Sequence, residues 1–152
     1  MDNIKKILVP VDLSHASAIL LQYASSVAEK FAARLVFLFV VEDLYSYTGL
    51  PVEIRLDPYD EGLEAYARRN MKDFLEENRL RLTGEWESEI LVGHPAMEII
   101  DYAAREDIDL IIIGTHGFTG LDRMIFGSVA EKVIKKAPCP VLVVNTYREE
   151  KE

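Results

Sequence analysis

The chain has 152 residues, with 17 basic against 26 acidic side chains, a formal net charge of −9, 49% hydrophobic residues and a single cysteine. That length is one domain, able to bury about 68 to 70% of its unfolded surface and so to hold a core without disulfides or structural zinc. The acidic excess argues against generic binding to DNA or RNA, whose affinity comes largely from Lys and Arg at the phosphates, and no apolar run approaches a membrane span. Met1 leads straight into Lys5-Lys6 and a short apolar run, so neither a signal peptide nor a membrane partner is expected. With one thiol, the expected compartment is a reducing cytoplasm.

Ile4 to Pro10 (IKKILVP) predicts a strand, and Ser14 to Ala33, with Ile19, Leu20, Tyr23, Ala24, Val27, Ala28 and Phe31 at helical spacing, predicts a helix. Leu35 to Val41 (LVFLFVV) is continuously apolar, as in a parallel strand covered on both faces. An irregular linker over 42–57 carries Leu44, Tyr45, Tyr47, Leu50, Val52 and Ile54. It fits a lid or partner surface, and equally a segment packed on its own domain. A helix follows from Tyr59 to Leu80 with Leu63, Ala67, Met71 and Phe74 on one stripe, then a strand from Trp86 to Val92. Pro95 suits the first position of the next helix, with His94 helping to start it. Asp109 to Ile113 (DLIII) is a fourth strand, Ser128 to Ala137 a helix, and Pro140 to Val144 (PVLVV) a fifth strand. This places one domain over 1–147 and a charged tail over 148–152.

Strict alternation of strand and helix predicts an open five-stranded parallel sheet, order 3-2-1-4-5, with helices on both faces: a Rossmann-like α/β fold. Ligands of such sheets sit beyond the carboxyl ends of the strands, where the strand order reverses. Two turns fall there: Pro10-Val11-Asp12-Leu13-Ser14 after the first strand and Gly114-Thr115-His116-Gly117 after the fourth. The second continues, nine residues on, to Gly127-Ser128 at the start of the last helix. From Gly114 to Ala137 the charges balance at +2 within this acidic chain.

Glycines let a ligand approach the main chain, and a helix start offers unpaired N–H groups and partial positive charge. Together they make an anion seat, with Ser128 adding a hydroxyl and Val129 a further N–H. Hydrogen bonds to a charged group contribute roughly 1.5 to 3 kcal/mol each, so two or three support micromolar affinity, about −8 kcal/mol. Asp12 repels phosphate but accepts hydrogen bonds from a ribose, which points to a nucleotide. Turn formation alone accounts for the same glycines, and Asp12 fits equally a role in organising the first helix, although Ser14 is the better cap. His15 reads as solvated, Cys139 as an inert thiol between prolines, and the three histidines lack metal-ligand spacing. There is no P-loop lysine motif, no GxGxxG opening the first helix and no GxSxG elbow.

The segment from Gly114 to Ile134, followed by Ala137 to Val144, closely resembles the C-terminal signature of the universal stress protein family, and Ile7 to Ser14 and Gly93-His94-Pro95 are similar to that family too. The resemblance covers essentially the whole chain. It implies a homodimer and membership of the ATP-binding branch, marked by the same GxxG, nine residues, GS pattern. It further implies that Pro10, Asp12, Val40 and Ile113 surround adenine and ribose, and that Gly114, His116, Gly117, Gly127, Ser128 and Val129 surround ribose and phosphates. The ligand would be ATP or AMP, with Mg or Mn held mainly by the phosphates. Phe118 departs from the family pattern, which often has a basic residue there, and leaves Arg123 as the sole cation of that loop. The apolar fifth strand is expected at a sheet edge, with a twofold dimer through Val141 to Val144. The expected function is a nucleotide-dependent stress-response regulator in the cytoplasm. The alternatives are a slow ATPase or nucleotidyl-transfer enzyme on the same scaffold, for which no dedicated base is evident, and a nucleotide-free dimeric interaction module.

Overall fold

The computed structural model describes residues 3–42, 59–115 and 127–146. In chain order these form β1 (Lys6–Pro10), α1 (His15–Phe31), β2 (Arg34–Glu42), α2 (Tyr59–Glu77), a 3-10 turn (Arg79–Arg81), β3 (Trp86–Gly93), α3 (Pro95–Arg105), β4 (Leu110–Gly114), α4 (Ser128–Lys136) and β5 (Val141–Val144). All neighbouring strands are parallel, in the order β3-β2-β1-β4-β5. Ile7 pairs with Leu35 on one side and Leu110 on the other, so β1 is the central strand. This is the order that alternation and apolar patterning predict.

Period-two alternation sends successive side chains to opposite faces of the sheet, and each face builds its own core. Ile7, Val9, Leu35, Phe37, Leu110 and Ile112 pack with Leu21 and Ala24 of α1 and with Ala67, Met71 and Phe74 of α2. Leu8, Val36, Leu38, Ile111 and Ile113 pack with Ile99, Tyr102 and Ala103 of α3 and with Ala130 and Val133 of α4. Both faces of β1, β2 and β4 are therefore covered, which is why those segments read as unbroken apolar runs.

Helix ends differ from expectation for local reasons. Helix α1 stops at Phe31 rather than Ala33 because Ala32 adopts the left-handed conformation, φ 51°, and donates its N–H to Ala28 and Glu29 carbonyls. Helix α2 ends at Glu77 rather than Leu80: the Asn78 side-chain amide donates to the Phe74 carbonyl at 2.8 Å and the chain tightens into the 3-10 turn. Strand β2 takes in Glu42, expected in the linker. The remainder of that linker, the side chain of Leu63 and the tail over 148–152 lie outside the described residues.

The two sheet edges differ in chemistry. Strand β3 carries Glu87 and Glu89 on the α3 face; burial first, then the charges of Glu89, Glu106 and Glu87, push the Tyr102 phenol of α3 up from its ordinary value. Strand β5, which among the described residues pairs only with β4, through Val141 to Val144, contains no charged residue, and its Leu142 is exposed.

Candidate functional site

The site grows out of the turn between β1 and α1. Ladder bonding outlasts β1 by one residue, Val11 N–H donating to the Leu38 carbonyl at 2.9 Å. The chain then reverses through Leu13, whose φ of 66° lies in the left-handed region, a conformation that costs a residue with a Cβ roughly 1 to 2 kcal/mol. Two contributions offset that cost. The Leu13 side chain packs against the core shared with α1, and a tight set of hydrogen bonds braces the turn.

Oδ1 of Asp12 accepts the Ser14 N–H at 3.0 Å and the Ser17 Oγ–H at 2.7 Å, while the Asp12 N–H donates back to Ser17 Oγ at 2.9 Å. Ser14 is the N-cap of α1, its Oγ accepting the Ser17 N–H. Asp12 thus helps organise the helix start and yet spends only one carboxylate oxygen on it. No described residue donates to Oδ2, and the side chain is only partly buried. Ser17, 6% exposed, went unnoticed in the sequence because helical periodicity assigns no role to a small polar residue there.

At the neighbouring strand, Gly114 ends β4 in register with Val144, and the Thr115 N–H donates to the Val144 carbonyl at 3.0 Å. His116, Gly117, Phe118 and Arg123 lie outside the described residues. The chain is described again at Gly127, the N-cap of α4, which offers no side chain to the helix. Helix α1 has the Ser14 hydroxyl at this position and α3 has His94 Nδ1, which accepts the Met97 N–H at 3.5 Å. Among the described residues no side chain accepts from the amides of Ser128, Val129 or Ala130. Because α4 returns the chain to the amino end of the parallel β5, its own start faces the carboxyl end of the sheet.

Five of the sequence-derived site residues therefore sit at the carboxyl ends of three adjacent strands: Pro10 at the end of β1 and Asp12 just after it, Val40 on β2, Ile113 and Gly114 on β4. Gly127, Ser128 and Val129 open α4. Val40 and Val129 pack against the same apolar cluster as Ile113, so the strand ends and the helix start share one wall. The wall is apolar, and Asp12 Oδ2 and the α4 amides supply an acceptor and donors beside it.

Other chemistry-bearing residues stand apart. His15 is exposed. The Cys139 thiol is pushed up from its usual value by burial and, secondarily, by the Asp109 charge, both of which favour the neutral thiol over the reactive thiolate. Among the described residues no three His, Cys, Asp or Glu side chains group to hold a metal ion, and no helix is long and apolar enough to cross a membrane. A cleft of about 970 Å³ lies at the opposite, amino end of the sheet, lined by Lys5, Lys6, Arg34 and acidic neighbours. Its Lys6 is already engaged, reaching the Glu106 carbonyl at 3.3 Å and the Glu106 carboxylate at 3.6 Å.

This is an open, Rossmann-like α/β domain with Asp12, Gly114 and the start of α4 at the carboxyl end of its sheet. The chain belongs to the universal stress protein family, whose model matches residues 3–145. It is 38% identical over 150 residues to the universal stress protein MJ0531 of Methanocaldococcus jannaschii, covering 96% of this chain and 85% of that protein. The solved structure of MJ0577 from the same organism superposes with a TM-score of 0.78 at 33% identity, covering 94% of this chain and 96% of that one. A universal stress protein from Archaeoglobus fulgidus, solved in complex with dAMP, shares the fold at a TM-score of 0.67 and 24% identity, covering 94% and 99% of the two chains.

Proposed function

We propose that this chain binds an adenine nucleotide, ATP or AMP, at the carboxyl ends of β1 and β4 and acts in the cytoplasm as a nucleotide-dependent stress-response regulator. The observation that carries the reading is that an acceptor, Asp12 Oδ2, and the amides of α4, to which no described side chain is bonded, lie at one end of the sheet. A ribose offers hydroxyl donors to the first, and phosphates offer anionic oxygens to the second. Pro10, Val40 and Ile113 supply the apolar surface a base requires, and Gly114, His116, Gly117, Gly127, Ser128 and Val129 are assigned to ribose and phosphates. That a family member has been solved with dAMP supports the ligand class. Mg or Mn accompanies the nucleotide mainly as a ligand of the phosphates.

In the same proposal the protein is a twofold homodimer joined through Val141 to Val144, the uncharged edge of the sheet. Occupation of the site alters a surface read by partner proteins. Isothermal calorimetry with ATP, AMP and GTP tests the ligand: micromolar binding of an adenine nucleotide is expected, and no heat at millimolar nucleotide refutes the reading. Light scattering at micromolar protein tests the dimer, which a monomer mass refutes.

A further inference from the structure

Ser17 contacts Asp12 twice. Its hydroxyl donates to Oδ1 at 2.7 Å and accepts the Asp12 N–H at 2.9 Å, closing a ring between one side chain and the backbone and carboxylate of another residue. A free aspartate side chain turns about χ1 and χ2 and presents either oxygen. Here the Ser14 N–H and the Ser17 hydroxyl converge on the same oxygen, so the rotation is stopped and only Oδ2 remains for a ligand. The lock is held firmly, since Ser17 is 6% exposed and lies in the first turn of α1, braced by its own N–H to Ser14 Oγ. It also spans the left-handed Leu13, so the serine fixes at once the direction of the carboxylate and the bend that aims it.

We infer that Ser17 is a positioning residue that presents Asp12 Oδ2 to the sugar hydroxyls of the nucleotide and thereby sets preference for a ribose over a sugar lacking them. The inference rests on the nucleotide reading above and adds to it a residue that touches no ligand. A carboxylate fixed in advance loses less rotational freedom on binding than a mobile one. A site built to hydrogen-bond a hydroxyl also discriminates strongly against an analogue without it. Removing the lock therefore weakens the sugar contact specifically, leaving base and phosphate contacts in place.

The test is calorimetric titration of the full chain with ATP and with 2′,3′-dideoxy-ATP, for the wild type, Ser17→Ala, Asp12→Asn and the double variant. The wild type is expected to prefer ATP by about tenfold or more, and Ser17→Ala to lower that preference to about threefold or less, chiefly by weakening ATP. In the Asp12→Asn background, Ser17→Ala should have no further effect on the preference, the non-additivity of residues acting through one another. Ser17→Thr, which retains the hydroxyl, should restore the preference. An undiminished preference in Ser17→Ala overturns the positioning role while the nucleotide reading stands, and so does a wild type that binds both nucleotides equally. A wild type that binds neither overturns the nucleotide reading and this inference with it. Should Ser17→Ala bind neither nucleotide, amide hydrogen exchange decides: selective loss of protection at Asp12 supports the lock, and loss spread over α1 and the sheet overturns it in favour of general destabilisation.

Discussion

Asp109 and Lys6 bond to each other twice: Oδ2 of Asp109 accepts the Lys6 N–H at 3.0 Å, and the Asp109 N–H donates to the Lys6 carbonyl at 2.9 Å. The same Oδ2 accepts the Lys5 N–H at 3.0 Å. One carboxylate therefore joins the starts of the central strand and its β4 neighbour, and any error in that register would travel to Asp12 and Gly114 at the other end. Asp109→Ala removes an ionised acceptor from two amides, and the expected loss is about 2 kcal/mol. Urea denaturation checks it: the midpoint should fall with an unchanged slope.

The same carboxylate acts on Cys139. Burial and the Asp109 charge both favour the neutral thiol, so alkylation by iodoacetamide at pH 8 should be slower in the folded protein than in urea. Asp109→Asn should raise the folded rate by removing the charge. Because the folded thiol titrates above the unfolded one, its contribution to stability is full below the unfolded value. It is lost as pH rises through the folded value. Denaturation of the wild type and Cys139→Ser between pH 7 and 10 should show the wild type losing more stability.

Ala32 ends α1 in the left-handed region, exposed and with its N–H already satisfied. Glycine reaches this conformation without the Cβ penalty. Ala32→Gly is expected to stabilise the protein by about 1 kcal/mol, read as a rise of about 2 to 4 °C in melting temperature. Asp107, also left-handed at φ 52°, should gain less from the same replacement, since aspartate tolerates that region better than alanine.

At Gly127 the fold and the proposed ligand make opposite demands. A Cβ built there meets no described atom within 4 Å, so Gly127→Asp is expected to fit and to supply a side-chain cap that no described residue gives α4. Its carboxylate then occupies the amides that phosphate would use. Differential scanning calorimetry should show an unchanged or slightly raised melting temperature, while titration with ATP should show binding reduced at least about a hundredfold. A variant that melts well below the wild type contradicts the first expectation, and one that binds ATP normally contradicts the second.

Much of the scaffold was legible because its signals are local. The apolar run Leu35 to Val41 announces a strand with helices on both sides, and Ser14 and Pro95 mark helix starts through capping chemistry that acts within a few residues. The edge character of β3 was less plain: Trp86 is 40% exposed although it alternates like a core residue, because exposure at an edge depends on which strand lies beyond it. At the site, Asp12 was legible in both of its candidate roles, and the helix-organising one is borne out at Oδ1. Ser17 was not. Its bonds to Asp12 depend on a leucine adopting a left-handed backbone, a conformation that leucine's own preferences oppose and that the packing of Leu13 and the hydrogen bonds of the turn together enforce. For β2 and Glu42, the strand runs on because β3 continues beside it, Glu42 pairing with Gly93.

The unlike rims of the sheet carry a consequence for assembly. Backbone groups at an open rim invite further strands without limit, and a chain with two welcoming rims would polymerise. Here one rim bears Glu87 and Glu89 and the other bears only Val141 to Val144. In the proposed dimer, joining two copies across the bare rim would use up both uncharged edges and leave acid on the outside of the pair, where like charges would turn away a third chain. The limit on size in that proposal would follow from which strand carries the glutamates.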